Sequence, residues 1–113
     1  MKKIIFLAGI ILFPVLLMAH PASEIKLTVN NENKNLEVTV IHDSKDIRKH
    51  FIDQISVYLN GEKIIAQVML SQENSEKQTA LYHIADAKSG DLIQVEAKCS
   101  IFGKKKSELK IEE

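Results

Sequence analysis

The chain has one cysteine, no tryptophan, two prolines and four glycines in 113 residues. A lone cysteine excludes a disulfide scaffold within one chain. Fifteen basic side chains balance fifteen acidic ones, and no run of like charge exceeds the three lysines Lys104–Lys106. That balance excludes a nucleic-acid binder relying on a basic surface, so no nucleic-acid partner is expected. The length sets a ceiling of one small domain.

What the sequence does have is an apolar start. Met1-Lys2-Lys3 precedes Ile4–Met18, almost wholly aliphatic, and Ala19 follows. A basic opening, an apolar middle and a small residue at the junction predict a secretory signal peptide over residues 1–19. The apolar run falls short of the ~20 residues needed to span a bilayer, and Pro14 interrupts it. The expectation is therefore export to the periplasm or beyond, with no stable membrane anchor after cleavage. A cut after Ala19 leaves His20 first, whereas a cut after Ala22 also satisfies the small-residue rule and removes His20. Loss of Lys2 and Lys3 leaves a mature domain, residues 20–113, with net charge −2. In an oxidising compartment Cys99 needs protection by burial, a metal or a partner.

The mature sequence is written in period two. Ile25, Leu27 and Val29 alternate with polar residues, and Asn30–Asn35 is a polar turn cluster. Leu36, Val38 and Val40 alternate next, with His42 in phase with their face. Ile55, Val57 and Leu59 form a further face closed by Asn60-Gly61, a hairpin pair. Ile64–Leu70 returns from that hairpin, Ser71–Lys77 reads as a polar loop, and Thr79–Ile84 as a strand. After the Ser89-Gly90-Asp91 turn, Ile93, Val95, Ala97, Cys99 and Ile101 share a face, and a last strand is expected around Ser107–Ile111. Lys104–Lys106 reads as a solvated hairpin tip. About seven short strands at this spacing predict an all-β protein, an immunoglobulin-like antiparallel β-sandwich.

His42–His50 breaks the alternation as a charged loop with a histidine at each end. Together with His20 and Cys99 these residues supply three imidazoles and a thiol, good ligands for iron, zinc and copper. Their spacing is no compact finger motif. Cys99 equally fits a buried core position, His42 a strand cap, His50 a surface site and His20 a disordered terminus. His83 reads as structural.

A family resemblance bears on that choice. His50-Phe51-Ile52-Asp53-Gln54-Ile55 resembles the His-Tyr-Ile-Glu-Trp-Ile segment of superoxide reductases, the desulfoferrodoxin iron-binding domain. His42 stands for the histidine of that family's His-Pro-Met stretch, at an interval two residues longer. Cys99-Ser100-Ile101-Phe102-Gly103 resembles its Cys-Asn-x-His-Gly. The preceding Gly90-Asp91 and Val95-Glu96-Ala97 also fit, and His20-Pro21 stands where the family places another ligand. The likeness runs from His20 to the end. It implies an immunoglobulin-like sandwich with a mononuclear iron held by His20, His42 and His50, with Cys99 as the axial thiolate. It also implies reduction of superoxide to peroxide with an external electron donor.

Phe102 replaces the family's fourth histidine, and Ala19 stands where classical members carry a lysine that attracts superoxide. A three-histidine, one-cysteine set suits tetrahedral zinc, or iron with solvent in its open positions. If His20 is the first mature residue, its α-amine offers a fifth donor. A zinc or copper carrier without turnover and a plain sandwich interaction module are the alternatives.

Overall fold

The computed structural model describes residues 20–112. The expected signal peptide, residues 1–19, lies outside them. The described residues form seven strands: β1 Glu24–Asn30, β2 Asn35–Ile41, β3 Ile52–Leu59, β4 Glu62–Val68, β5 Lys77–His83, β6 Leu92–Cys99 and β7 Lys104–Lys110. All pairings are antiparallel, and the strands make a three-stranded sheet β1-β2-β5 and a four-stranded sheet β4-β3-β6-β7. The expected all-β sandwich is what the chain forms.

Alternation builds the core. Leu36, Val38 and Val40 of β2 face Ile55 and Val57 of β3 and Ile93, Val95 and Ala97 of β6 across the sandwich, and all are essentially without solvent contact. Each such aliphatic side chain contributes roughly 1.5–3 kcal/mol relative to an exposed position. Asn60 and Gly61 close the β3–β4 hairpin with φ of 51° and 89°, left-handed conformations that asparagine and glycine tolerate best. At one open side of the sandwich the Tyr82 hydroxyl of β5 donates to Gln67 Oε1 of β4 at 2.7 Å, linking the two sheets.

Two expectations fail at the ends of elements. β6 stops at Cys99, so Ile101 does not continue its inward face and is instead exposed. The cause is the turn after it, where the Cys99 amide donates to the Gly103 carbonyl at 3.0 Å and the alternation is broken. Lys104–Lys106 are not a hairpin tip but the first residues of β7, registered against Lys98, Ala97 and Glu96. An edge strand pairs on one side only, so a run of exposed lysines is compatible with it and also discourages further pairing.

The topology sends β2 into β3 through residues 42–51, β4 into β5 through residues 69–76 and β5 into β6 through residues 84–91, each time crossing between sheets. Register places the start of β1 beside the end of β2, and the start of β3 beside the end of β6. His20, His42, His50 and Cys99, spread over the whole mature sequence, therefore meet at one end of the sandwich.

Candidate metal centre

His42 extends the inward face of β2 by one more alternation and is fully buried. The residues after it turn outward. Asp46 closes a tight turn by accepting from the amides of Lys49 (3.1 Å) and His50 (2.8 Å), and the Ser44 hydroxyl donates to the His50 carbonyl. Those bonds return His50 to the sandwich, next to His42. Cys99 arrives from the other sheet as the last inward residue of β6, 2% exposed. Opposite it β3 carries a bulge: Ile52 pairs with Cys99 and Gln54 with Lys98, leaving Asp53 as the extra residue. The Asp53 carboxylate takes the Lys98 ammonium at 3.0 Å, and its carbonyl accepts from the Met69 amide at 2.9 Å. Bulges of this kind bend a strand where a functional side chain must be aimed.

One ligand atom from each of His42, His50 and Cys99 lies within 4.8 Å of the others. The His42 and His50 rings stand nearly perpendicular with centroids 4.7 Å apart. The His20 ring completes the group at 5.2 Å from His42 and 5.3 Å from His50. Its Nδ1 lies 3.0 Å from the carbonyl of Pro21, and His20 is not one of the three residues whose ligand atoms lie within 4.8 Å of one another. Residues 20–23 are held there by the Ser23 amide, which donates to the Ile41 carbonyl at 2.9 Å, and by Pro21 resting on Gly103.

The donor set fits a metal on a direct observation. His50 Nε2 is buried and has no hydrogen-bond partner, a costly state for a polar atom. Burial, then the nearby His42 and His20, hold the His50 imidazole below its usual pKa and so in the neutral form that ligates. Two imidazoles and a thiol with ligand atoms within 4.8 Å of one another match the preferences of zinc, iron and copper.

Beside the group a cleft of about 430 Å³ opens to solvent, lined by His20, Asp43, Ser44, Lys45, Asp46, His50 and Ile101. Lys45 is the one lysine or arginine in that lining, which also holds the carboxylates of Asp43 and Asp46. Phe102 is 58% exposed. His83 is the last residue of β5, paired with Asn35 at the other end of β2 from His42, and its Nδ1 lies 3.1 Å from Asn35 Oδ1. It takes no part in the group.

Sequence reasoning missed Gln72. It sits in the stretch read as a polar loop, yet is 2% exposed, with its side chain against His42 at 2.8 Å. Two amides, Gln72 and Asn74, among the polar residues Ser71–Lys77 give no periodic or motif signal that would have singled it out.

No family model matches the chain, and no curated protein or solved structure matches it either. Fold and donor geometry therefore carry the functional reading.

Proposed function

We propose that this domain is a mononuclear metal protein, with His42, His50 and Cys99 as ligands and His20 as the fourth donor. In its iron form it is a superoxide-reductase-like protein of the exported compartment. The observation behind this reading is the buried, unpartnered Nε2 of His50 converging with His42 and the Cys99 thiol. Iron on this donor set would supply the one-electron step that reduces superoxide, with two protons, to hydrogen peroxide, the electron coming from an external donor. The chain's own part is to supply the Cys99 sulfur from a dry position, keep the His50 imidazole neutral, and leave the cleft at His20 and His50 open to a small anion.

A second reading is a zinc or copper carrier without turnover. Phe102 points to solvent and brings no nitrogen to the group, so the side chains offer three nitrogens and one sulfur, the count of a closed tetrahedral zinc site. In either case cleavage after Ala19 would add the α-amine of His20 to the donors, whereas cleavage after Ala22 would remove His20 altogether.

The deciding experiment is metal analysis of the mature protein purified from its natural compartment, with an ultraviolet–visible spectrum and the intact mass of the same sample. About one iron per chain with a thiolate-to-iron band supports the redox reading and makes superoxide turnover the next assay. Stoichiometric zinc or copper without that band supports the carrier. No metal and a Cys99 that ignores added metal would leave an interaction module.

A further inference from the structure

The Gln72 side chain makes four hydrogen-bond contacts, and together they fix its orientation. One end lies 2.7 Å from the His42 carbonyl and 2.9 Å from the Asn74 carbonyl; both are acceptors, so the amide nitrogen, Nε2, stands there and donates to each. The other end must then be the oxygen, Oε1, which accepts from the Ile52 amide at 3.2 Å and lies 2.8 Å from His42 Nδ1. Facing an acceptor that cannot donate, Nδ1 must carry the ring proton. In the neutral ring this leaves Nε2 of His42 with a bare lone pair, and the His20 carbonyl, 3.4 Å from it, is another acceptor.

We infer that Gln72 is the positioning residue of the metal centre, locking His42 in its Nδ1–H tautomer so that Nε2 is the ligating atom. This rests on the metal-binding reading above and names the residue that prepares one of its ligands. Ligating histidines usually donate their second ring nitrogen to a nearby oxygen, which sets tautomer and ring plane together. Here the oxygen is a neutral amide held at all four corners, so it can neither rotate nor offer its nitrogen to the ring without losing two bonds to carbonyls. The loop bearing it is fastened to the ligand loop as well: the Gln72 amide donates to Ile47 O at 3.0 Å, Ser44 N to Ser75 O at 2.8 Å, and His42 N to Glu76 O at 2.9 Å. The β4–β5 connection is thus the outer support of the site.

The test uses the metal-free full domain labelled with ¹⁵N in its histidines, read by long-range proton–nitrogen spectra at about pH 8, where ordinary histidines are neutral. Wild type is expected to show His42 as a single Nδ1–H tautomer. Gln72→Leu should lose that preference and weaken zinc binding, measured against a competing chromophoric chelator, by about 10–100-fold. Gln72→Glu keeps an acceptor toward Nδ1 while losing the two donors; it should retain the tautomer and bind zinc more tightly than the leucine variant. An Nε2–H tautomer in the wild type would overturn the inference. So would a folded Gln72→Leu protein with unchanged tautomer and affinity. If the leucine variant does not fold, the wild-type spectrum and the glutamate variant decide. If the wild type binds no zinc, copper or iron, the metal reading falls, and the tautomer spectra still judge Gln72 separately.

Discussion

Pro21 rests on Gly103 so closely that a Cβ on the glycine would fall 2.9 Å from the Pro21 Cβ and 3.0 Å from its Cδ. Gly103 also has φ of +91°, a conformation other residues adopt only with strain. The contact joins the turn after Cys99 to the segment that carries His20, so one glycine serves both.

Gly103→Ala is expected to destabilise the domain by about 1–3 kcal/mol through backbone strain and to push Pro21 away. If His20 ligates, the same variant weakens zinc binding, and by a factor close to that of His20→Ala. Denaturant melts and zinc titrations of the two variants check this. Lowered stability with unaltered affinity in both proteins would remove His20 from the ligand set and leave His42, His50 and Cys99.

For those three, the expectation is sharper. His42→Ala, His50→Ala and Cys99→Ser should each reduce zinc or iron affinity by at least roughly 100-fold, beyond what loss of an outer partner costs. His83→Ala, at the far end of β5, should change nothing. Metal should also shield Cys99 from alkylation, with a chelator reversing the protection. Equal behaviour of all four variants would show that the cluster is packing and not coordination.

Much of this fold is legible in the sequence, and the reason is local. Leu36, Val38, Val40 and His42 declare their face by parity, and Asn60-Gly61 by its backbone tolerance, so β2 and the β3–β4 hairpin can be written down without a structure. Parity misleads where a turn interrupts it: Ile101 is in phase with Cys99 but lies past the end of β6 and is exposed. Lys104–Lys106 show no alternation at all, because the edge position of β7 asks none of them to be buried. The site is a different matter. Its residues come together through three crossovers between sheets, which no spacing along the chain displays. Gln72 is invisible for a related reason, since its role lies in bonds to residues 20 and 30 positions away.

At the opposite end of the sandwich, Asp91 sits in a donor nest. Asn60 Nδ2 donates to its Oδ1 at 3.0 Å and the Lys88 amide to its Oδ2 at 3.0 Å. The Asn60 bond first, then the Lys88 amide and charge, hold this carboxyl below the ordinary range. A folded-state pKa below the unfolded value gives stability that is present above about pH 4 and is lost as pH falls toward the folded value. Asp91→Asn should therefore be less stable than wild type near neutrality, with the difference shrinking on acidification. Denaturant midpoints measured across that range read the effect; a constant difference would mean that shape, not charge, holds the β3–β4 hairpin to β6.

The alkaline limb of stability belongs to Tyr82. Burial pushes its phenol up to about 12, and the hydroxyl donates to Gln67 Oε1 at 2.7 Å across the open side of the sandwich. An unfolded tyrosine ionises near pH 10, so the folded state favours the protonated form. The sign follows from linkage: the contribution is complete below about pH 10 and is lost as pH rises from there through the folded value. Tyr82→Phe keeps the ring but loses the hydrogen bond, at a cost of about 0.5–1.5 kcal/mol at neutral pH, and should show a shallower decline above pH 10 than wild type. Phenolate absorbance in the near ultraviolet, followed alongside unfolding, separates the two tyrosines by difference between the proteins. A wild-type Tyr82 that ionises with the domain still folded near pH 10 would mean that the gap between β4 and β5 admits water freely, and that the Gln67 bond does not close it.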